Sequence, residues 1–250
     1  MATMWRWFFC CLTAVSPAFA DEPAAQPSAE LYQAKVFKSP QPESQELKYR
    51  LMIPDGYDAT ADTRFPLVLF LHGAGERGAD NRRQLIHGAA QFSKPERRRK
   101  YACFVAAPQC PSGRWWSDSL EPVMELVKQL QTEYRIDSGR IYVTGLSMGG
   151  FGTFELTTRY PDVFAAAAPI CGGGDPTKAK TIATLPLWVF HGDADRVVPV
   201  GFSRSMIKAI EEAGGKPKYT EYPGVGHDCW TATYADPEFH DWLFAQKKTQ

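Results

Sequence analysis

Apolar positions along the chain fall into short continuous runs separated by longer stretches of mixed character. The runs Pro66-Leu67-Val68-Leu69-Phe70-Leu71, Cys103-Phe104-Val105-Ala106-Ala107, Ile141-Tyr142-Val143-Thr144, 165–170 and Leu187-Trp188-Val189-Phe190 have the length and β-forming content of strands buried on both faces. Weaker patterns near Lys35 to Phe37 and Leu47 to Ile53 predict edge or hairpin strands, and Lys218 to Tyr222 predicts a last strand. Between the runs the period changes. Apolar residues at Leu120, Val123, Met124, Val127, Leu130 and Tyr134 describe one face of a helix, with Pro122 in its first turn, and a second helix is predicted from Gly149 to Tyr160. Strands alternating with helices predict an α/β chain with a mostly parallel central sheet flanked by helices. No repeat or internal linker divides residues 31–250, which are expected to form a single catalytic domain. Only Cys171 to Pro186 separates the sixth strand from the next, too little for a large cap domain, so the site is expected to be open.

The candidate chemistry sits at the ends of these strands. The run Ile141 to Thr144 enters Gly145-Leu146-Ser147-Met148-Gly149 and then a helix, the context that lifts a serine clear of its own backbone. A serine needs a base, an acid and an oxyanion site to act as a nucleophile. Glycines surround His227 after the last strand, the place for the base, and Asp195 lies in the turn after Leu187 to Phe190, with Asp193 competing for the acid role. His72-Gly73-Ala74-Gly75 after the strand 66–71 offers an oxyanion amide at Ala74, with Gly75 as the alternative, and Met148 supplies the second. The order serine, aspartate, histidine is that of the α/β-hydrolase fold.

Together Leu71-His72-Gly73-Ala74-Gly75-Glu76-Arg77-Gly78, Gly145 to Gly150, His191-Gly192-Asp193-Ala194-Asp195 and His227-Asp228-Cys229-Trp230 resemble secreted esterases of the phospholipase/carboxylesterase and feruloyl esterase type. That group also includes prolyl oligopeptidase-like predicted peptidases and polyhydroxybutyrate depolymerase-like proteins. The resemblance runs from about Leu47 to Phe244 and implies a Ser-His-Asp hydrolase of carboxylic esters, with no cofactor and no metal. Its expected partner is an ester substrate, including acyl or feruloyl esters of polysaccharides, for which an open cleft is suited. Peptidase action, polyester depolymerisation and a non-catalytic binding role stand as alternatives. Trp115, Trp116 and Trp230 follow strand ends on the catalytic side and are expected either to stack on substrate or to close the core. Glu76 is expected either to reach the cleft or to pair with Arg77 or Arg114.

Composition narrows the setting. Residues 1–20 carry Arg6, an apolar stretch from Trp7 to Val15 and Ala18-Phe19-Ala20, the pattern of a secretory signal peptide cleaved before Asp21, and 21–30 read as a flexible leader. Secreted or periplasmic localisation follows as an expectation. Of 28 basic and 28 acidic residues, removal of 1–20 takes only Arg6, which leaves 27 against 28 and a net charge of −1. That balance implies no nucleic-acid partner, and no apolar run implies stable membrane insertion. Cys103, Cys110, Cys171 and Cys229 remain, and a Cys171 to Cys229 bridge would tether the histidine loop.

Overall fold

The computed structural model describes residues 30–39 and 46–248. The signal peptide expected over 1–20 and all but the last residue of the leader expected over 21–30 lie outside the described residues. The strands are β1 (Tyr32–Lys38), β2 (Glu46–Met52), β3 (Phe65–Leu71), β4 (Phe104–Pro108), β5 (Ile136–Leu146), β6 (Ala166–Ile170), β7 (Trp188–Gly192) and β8 (Lys218–Tyr222). They form one sheet in the order β1-β2-β4-β3-β5-β6-β7-β8. β2 runs antiparallel to both β1 and β4, and every pair from β4 to β8 is parallel. Around the sheet lie the helices α1 (Gly88–Phe92), α2 (Pro95–Lys100), α3 (Leu120–Glu133), α4 (Met148–Arg159), α5 (Gly201–Glu212), α6 (Trp230–Ala235) and α7 (Pro237–Ala245).

The continuous apolar runs are the central strands because both faces of the sheet are covered. One core holds Leu67, Leu69 and Val143 with the inner faces of α3 and α5. The other holds Val68, Phe70 and Tyr142 with Tyr234, Phe239 and Leu243 of α6 and α7. Alternate residues of β3 thus serve opposite cores, as the period of a strand requires. Between β6 and β7 the described residues hold one short 3-10 helix, Pro176–Ile182. Among the described residues no helix is long and apolar enough to cross a membrane.

Glycine is required where α4 crosses the sheet. A Cβ on Gly149 would lie 2.0 Å from the Leu71 carbonyl oxygen, and one on Gly145 would lie 2.5 Å from that of Gly149. Both obstacles are backbone, which cannot swing aside. Gly149→Ala is therefore expected to lower stability by on the order of 3 kcal/mol or more. Gly201→Ala, where a Cβ would meet nothing within 4 Å, is the control. A comparison of their melting temperatures with the parent checks this.

Candidate active site

The β5 strand hands the chain to α4 through Ser147, whose φ of 54° and ψ of −117° lie in a region that L-residues rarely occupy. The strained residue is held from behind: its N–H donates to the Ile170 carbonyl at 2.9 Å and to the Cys171 sulfur at 3.2 Å. Sharp reversal between strand and helix leaves the hydroxyl facing out of the turn at the first residues of α4. There it meets the histidine loop. His227 Nε2 lies 2.9 Å from Ser147 Oγ, and His227 Nδ1 lies 2.6 Å from Asp195 Oδ2.

The acid is bound more heavily than its histidine partner alone requires. Asp195 Oδ1 accepts from the backbone N–H groups of Val197 and Val198 at 2.8 and 2.9 Å, and His191 Nε2 lies 3.2 Å from Oδ2. Burial raises its carboxyl pKa, but His227 and the two amides outweigh burial and hold it below the ordinary carboxylate range. The carboxylate is thus ionised at neutral pH, aimed at Nδ1. With Nδ1–H donating to Asp195, Nε2 is the nitrogen free to accept the Ser147 proton. Asp193, the rival acid, faces elsewhere: its Oδ1 accepts from Gly224 N–H at 2.6 Å, and Ala194 N–H donates to the Val225 carbonyl at 3.0 Å. These bonds stitch the acid turn to the histidine loop, and Gly192 permits the approach, since a Cβ there would lie 2.3 Å from the Val225 oxygen.

The loop after β3 is shaped by His72. Its Nδ1 lies 2.6 Å from the Gly73 carbonyl, while Nε2 accepts from Cys110 N–H at 2.9 Å. That pairing fits a neutral ring protonated at Nδ1. Burial drives the His72 pKa down to about 4, and burial does the same to His240, also to about 4. Both rings titrate near 6.5 when unfolded. Below that value the unfolded chain takes up protons that these two rings refuse when folded, so their contribution to stability is constant above about pH 6.5 and falls as pH drops toward 4. Each histidine is expected to remove on the order of 3 kcal/mol over that window. Urea melts at pH 7 and pH 5 check this, and stability rising on acidification would contradict it.

Ala74 opens a 3-10 turn, Ala74–Glu76, and Met148 opens α4, so each stands where the first N–H groups of a helix lack internal partners. The two ends adjoin: a Cβ on Gly73 would lie 2.9 Å from Leu146 Cδ1 and 3.6 Å from the Leu146 oxygen.

The remaining candidates divide. Trp230 packs edge-on against His227, ring centroids 5.1 Å apart, and lies 5.5 Å from the His87 ring. Trp116 does not offer the open stacking face that was one expectation: it is 1% exposed, and its Nε1–H donates to the His72 carbonyl at 3.0 Å, which clamps the loop after β3. The exposed ring is Trp115, at 53%, with the Arg77 guanidinium over it. Glu76 pairs with neither Arg77 nor Arg114. Its Oε1 lies 3.5 Å from His87 Nε2, and although burial raises its carboxyl pKa, His87 holds it below the ordinary value. The four cysteines 103, 110, 171 and 229 are free and buried in the structure, so the Cys171 to Cys229 bridge is not formed; the two thiols are hydrogen-bonded neighbours instead.

Beside Met148 opens a cavity of about 480 Å³, walled by Trp115, Phe151, Val197, Val198 and Phe202, with Glu155 among its lining. Sequence reasoning assigned no role to His191, His87 or this cavity. His191 lies at the end of a strand and Asp195 follows in a turn, so no spacing rule joins them; the stripe Met148, Phe151, Gly152, Glu155 on one helix face was a usable signal.

The profile of the esterase PHB depolymerase family matches residues 47–175, more than half of the chain, including β3 with its following loop and Ser147. The chain belongs to that family. A phospholipase/carboxylesterase profile matches residues 114–237, across Ser147, Asp195 and His227. Poly(3-hydroxyalkanoate) depolymerase C of Paucimonas lemoignei is 34% identical over 148 residues, which are 53% of this chain and 32% of that protein. Feruloyl esterase B of Piromyces equi is 26% identical over 70% of this chain and 34% of its own length. The chain thus spans about a third of the length of each. Among solved structures, a thermostable esterase aligns with a TM-score of 0.83 at 41% identity, over 88% of this chain and 64% of that one. With the sheet order above, these likenesses identify an α/β-hydrolase fold.

Proposed function

We propose that this chain is a serine carboxylic-ester hydrolase that works through an acyl-enzyme. The observation that carries the reading is the unbroken line Asp195 Oδ2, His227 Nδ1, His227 Nε2, Ser147 Oγ, with links of 2.6 and 2.9 Å. In this reading His227 takes the hydroxyl proton as Ser147 attacks the ester carbonyl, and Asp195 keeps the imidazole in the useful tautomer and stabilises its cation. The amides of Ala74 and Met148 receive the oxyanion, helped by the positive end of α4. His227 then passes its proton to the departing alcohol, and water releases the acid by the reverse sequence.

The substrate reading is a bulky ester, such as an acylated or feruloylated polysaccharide, with a polyester as the second reading. The first draws on the short connection between β6 and β7 and on the named activity of the Piromyces equi relative; the second draws on the depolymerase relative. Secretion or export is part of the same proposal, on the pattern of residues 1–20. A panel of acetyl, butyryl, longer acyl and feruloyl esters, run beside chromogenic peptides and a poly(3-hydroxyalkanoate) suspension, tests it. Ester turnover well above peptide turnover is expected; a clear preference for peptides would reject the esterase reading.

A further inference from the structure

His191 of β7 sits in a hydrogen-bond arrangement that a neutral ring cannot complete. The ring is sealed from solvent, and both of its nitrogens have partners. Nε2 lies 2.9 Å from the Val198 carbonyl and 3.2 Å from Asp195 Oδ2, and neither oxygen has a hydrogen to give. Nε2 therefore carries one. Nδ1 lies 2.7 Å from Ser203 Oγ of α5. The Ser203 hydroxyl has a single hydrogen, which it donates to the Gly172 carbonyl at 2.9 Å. A lone pair then faces Nδ1, so Nδ1 carries a hydrogen as well. Turning the hydroxyl toward Nδ1 would instead set two acceptor oxygens against each other across the 2.9 Å to Gly172. Each neutral tautomer thus opposes a pair of acceptors, and the doubly protonated ring satisfies every contact.

A buried imidazolium is costly unless a counter-charge stands beside it. Asp195 is that counter-charge, and its side chain is equally shielded. On β8, Glu221 is the register neighbour of His191 and attracts it, while Arg204 of α5 and the Tyr219 hydroxyl hold that carboxylate. The Cys171 thiol after β6 faces Asp195, and burial keeps it protonated. His227 meets the same Asp195 oxygen at 2.6 Å and is the titratable group this arrangement serves. A proton arriving on His227 is drawn by Asp195 and repelled by a cation already beside it. The cation thus delays protonation of the base as pH falls.

We propose, building on the ester-hydrolase reading, that His191 is a positioning residue that works as a buried cation: it grips Asp195 beside His227 and keeps His227 unprotonated, and so able to act as base, at lower pH than Asp195 alone would allow.

The direct test is a two-bond 1H–15N spectrum of the histidine-labelled protein at about pH 7.5, with the His191 signals assigned as those absent from His191→Gln. Both ring nitrogens are expected at the shift of protonated nitrogens; one at the shift of a bare lone pair would overturn the cation. The kinetic test follows kcat/KM for p-nitrophenyl acetate across pH in the parent and in His191→Gln, whose side chain is neutral at every pH. The acid limb is expected to move up by about one pH unit. The plateau should fall by less than about tenfold, with KM little changed. Ser203→Ala, which leaves the ring but removes the acceptor for its Nδ1–H, should move the limb the same way by a smaller amount. A plateau that falls with the limb in place in both variants would mark packing alone and overturn the proposal. A parent with a doubly protonated His191 and no ester turnover would strike the ester-hydrolase reading, and the link to His227 with it, while the cation stands.

Discussion

Replacing Ser147 with alanine is expected to lower kcat on a p-nitrophenyl ester by about a millionfold, to the level left by substrate binding and the oxyanion amides. The magnitude follows from what the hydroxyl does in the proposed reaction. It is the atom that bonds to the carbonyl carbon, and its base stands 2.9 Å away. The variant should still fold, because the bonds that hold the strained turn run from the Ser147 backbone N–H, to Ile170 and Cys171, and not from its hydroxyl. Fluorophosphonate labelling of the parent and not of Ser147→Ala, with matching melting curves, is the decisive pair of measurements. Labelling of neither protein would favour a binding role without turnover.

Asp195→Asn is expected to cost about ten-thousandfold in kcat with little change in KM. The side-chain oxygen of asparagine can keep the bonds from the Val197 and Val198 amides, so the turn should hold its shape. The new amide nitrogen then faces His227 Nδ1, where the carboxylate oxygen used to accept. A donor facing Nδ1 favours the imidazole protonated at Nε2. That tautomer points a hydrogen at Ser147 and cannot act as its base. Asp193→Asn is the informative companion. Asp193 accepts from the Gly224 amide in the adjoining loop, a bond asparagine preserves, so its kcat should stay within about tenfold of the parent. Equal losses in the two variants would remove Asp195 from its assigned role. A rise in activity of Asp195→Asn with hydroxide concentration, as hydroxide takes the serine proton in place of the imidazole, would support the tautomer argument.

The two aspartates also mark the limit of what could be read without coordinates. Both stand in the same turn, two residues apart, and local pattern favours neither by any physical rule. Direction decides between them. The turn after β7 sends Asp195 inward to His227 and lays Asp193 along the histidine loop, and that choice depends on how close two backbones approach at Gly192. The tryptophans teach the same lesson. Trp115 and Trp116 are adjacent and chemically identical, yet one ring is exposed and the other is sealed under the loop after β3.

By itself the sequence determined the architecture and the order of the chemistry. Continuous apolar runs could only be strands covered on both faces, the 3.6-residue period placed α3, and the glycines around Ser147 announced a turn too tight for any side chain, because these are properties of consecutive residues. Tertiary structure alone decided whatever depends on residues far apart in the chain: which aspartate meets His227, that Glu76 pairs with His87, and that Trp116 is a clamp. Burial, partner and direction arise only when the sheet brings separate strand ends to one edge, and no local pattern encodes them.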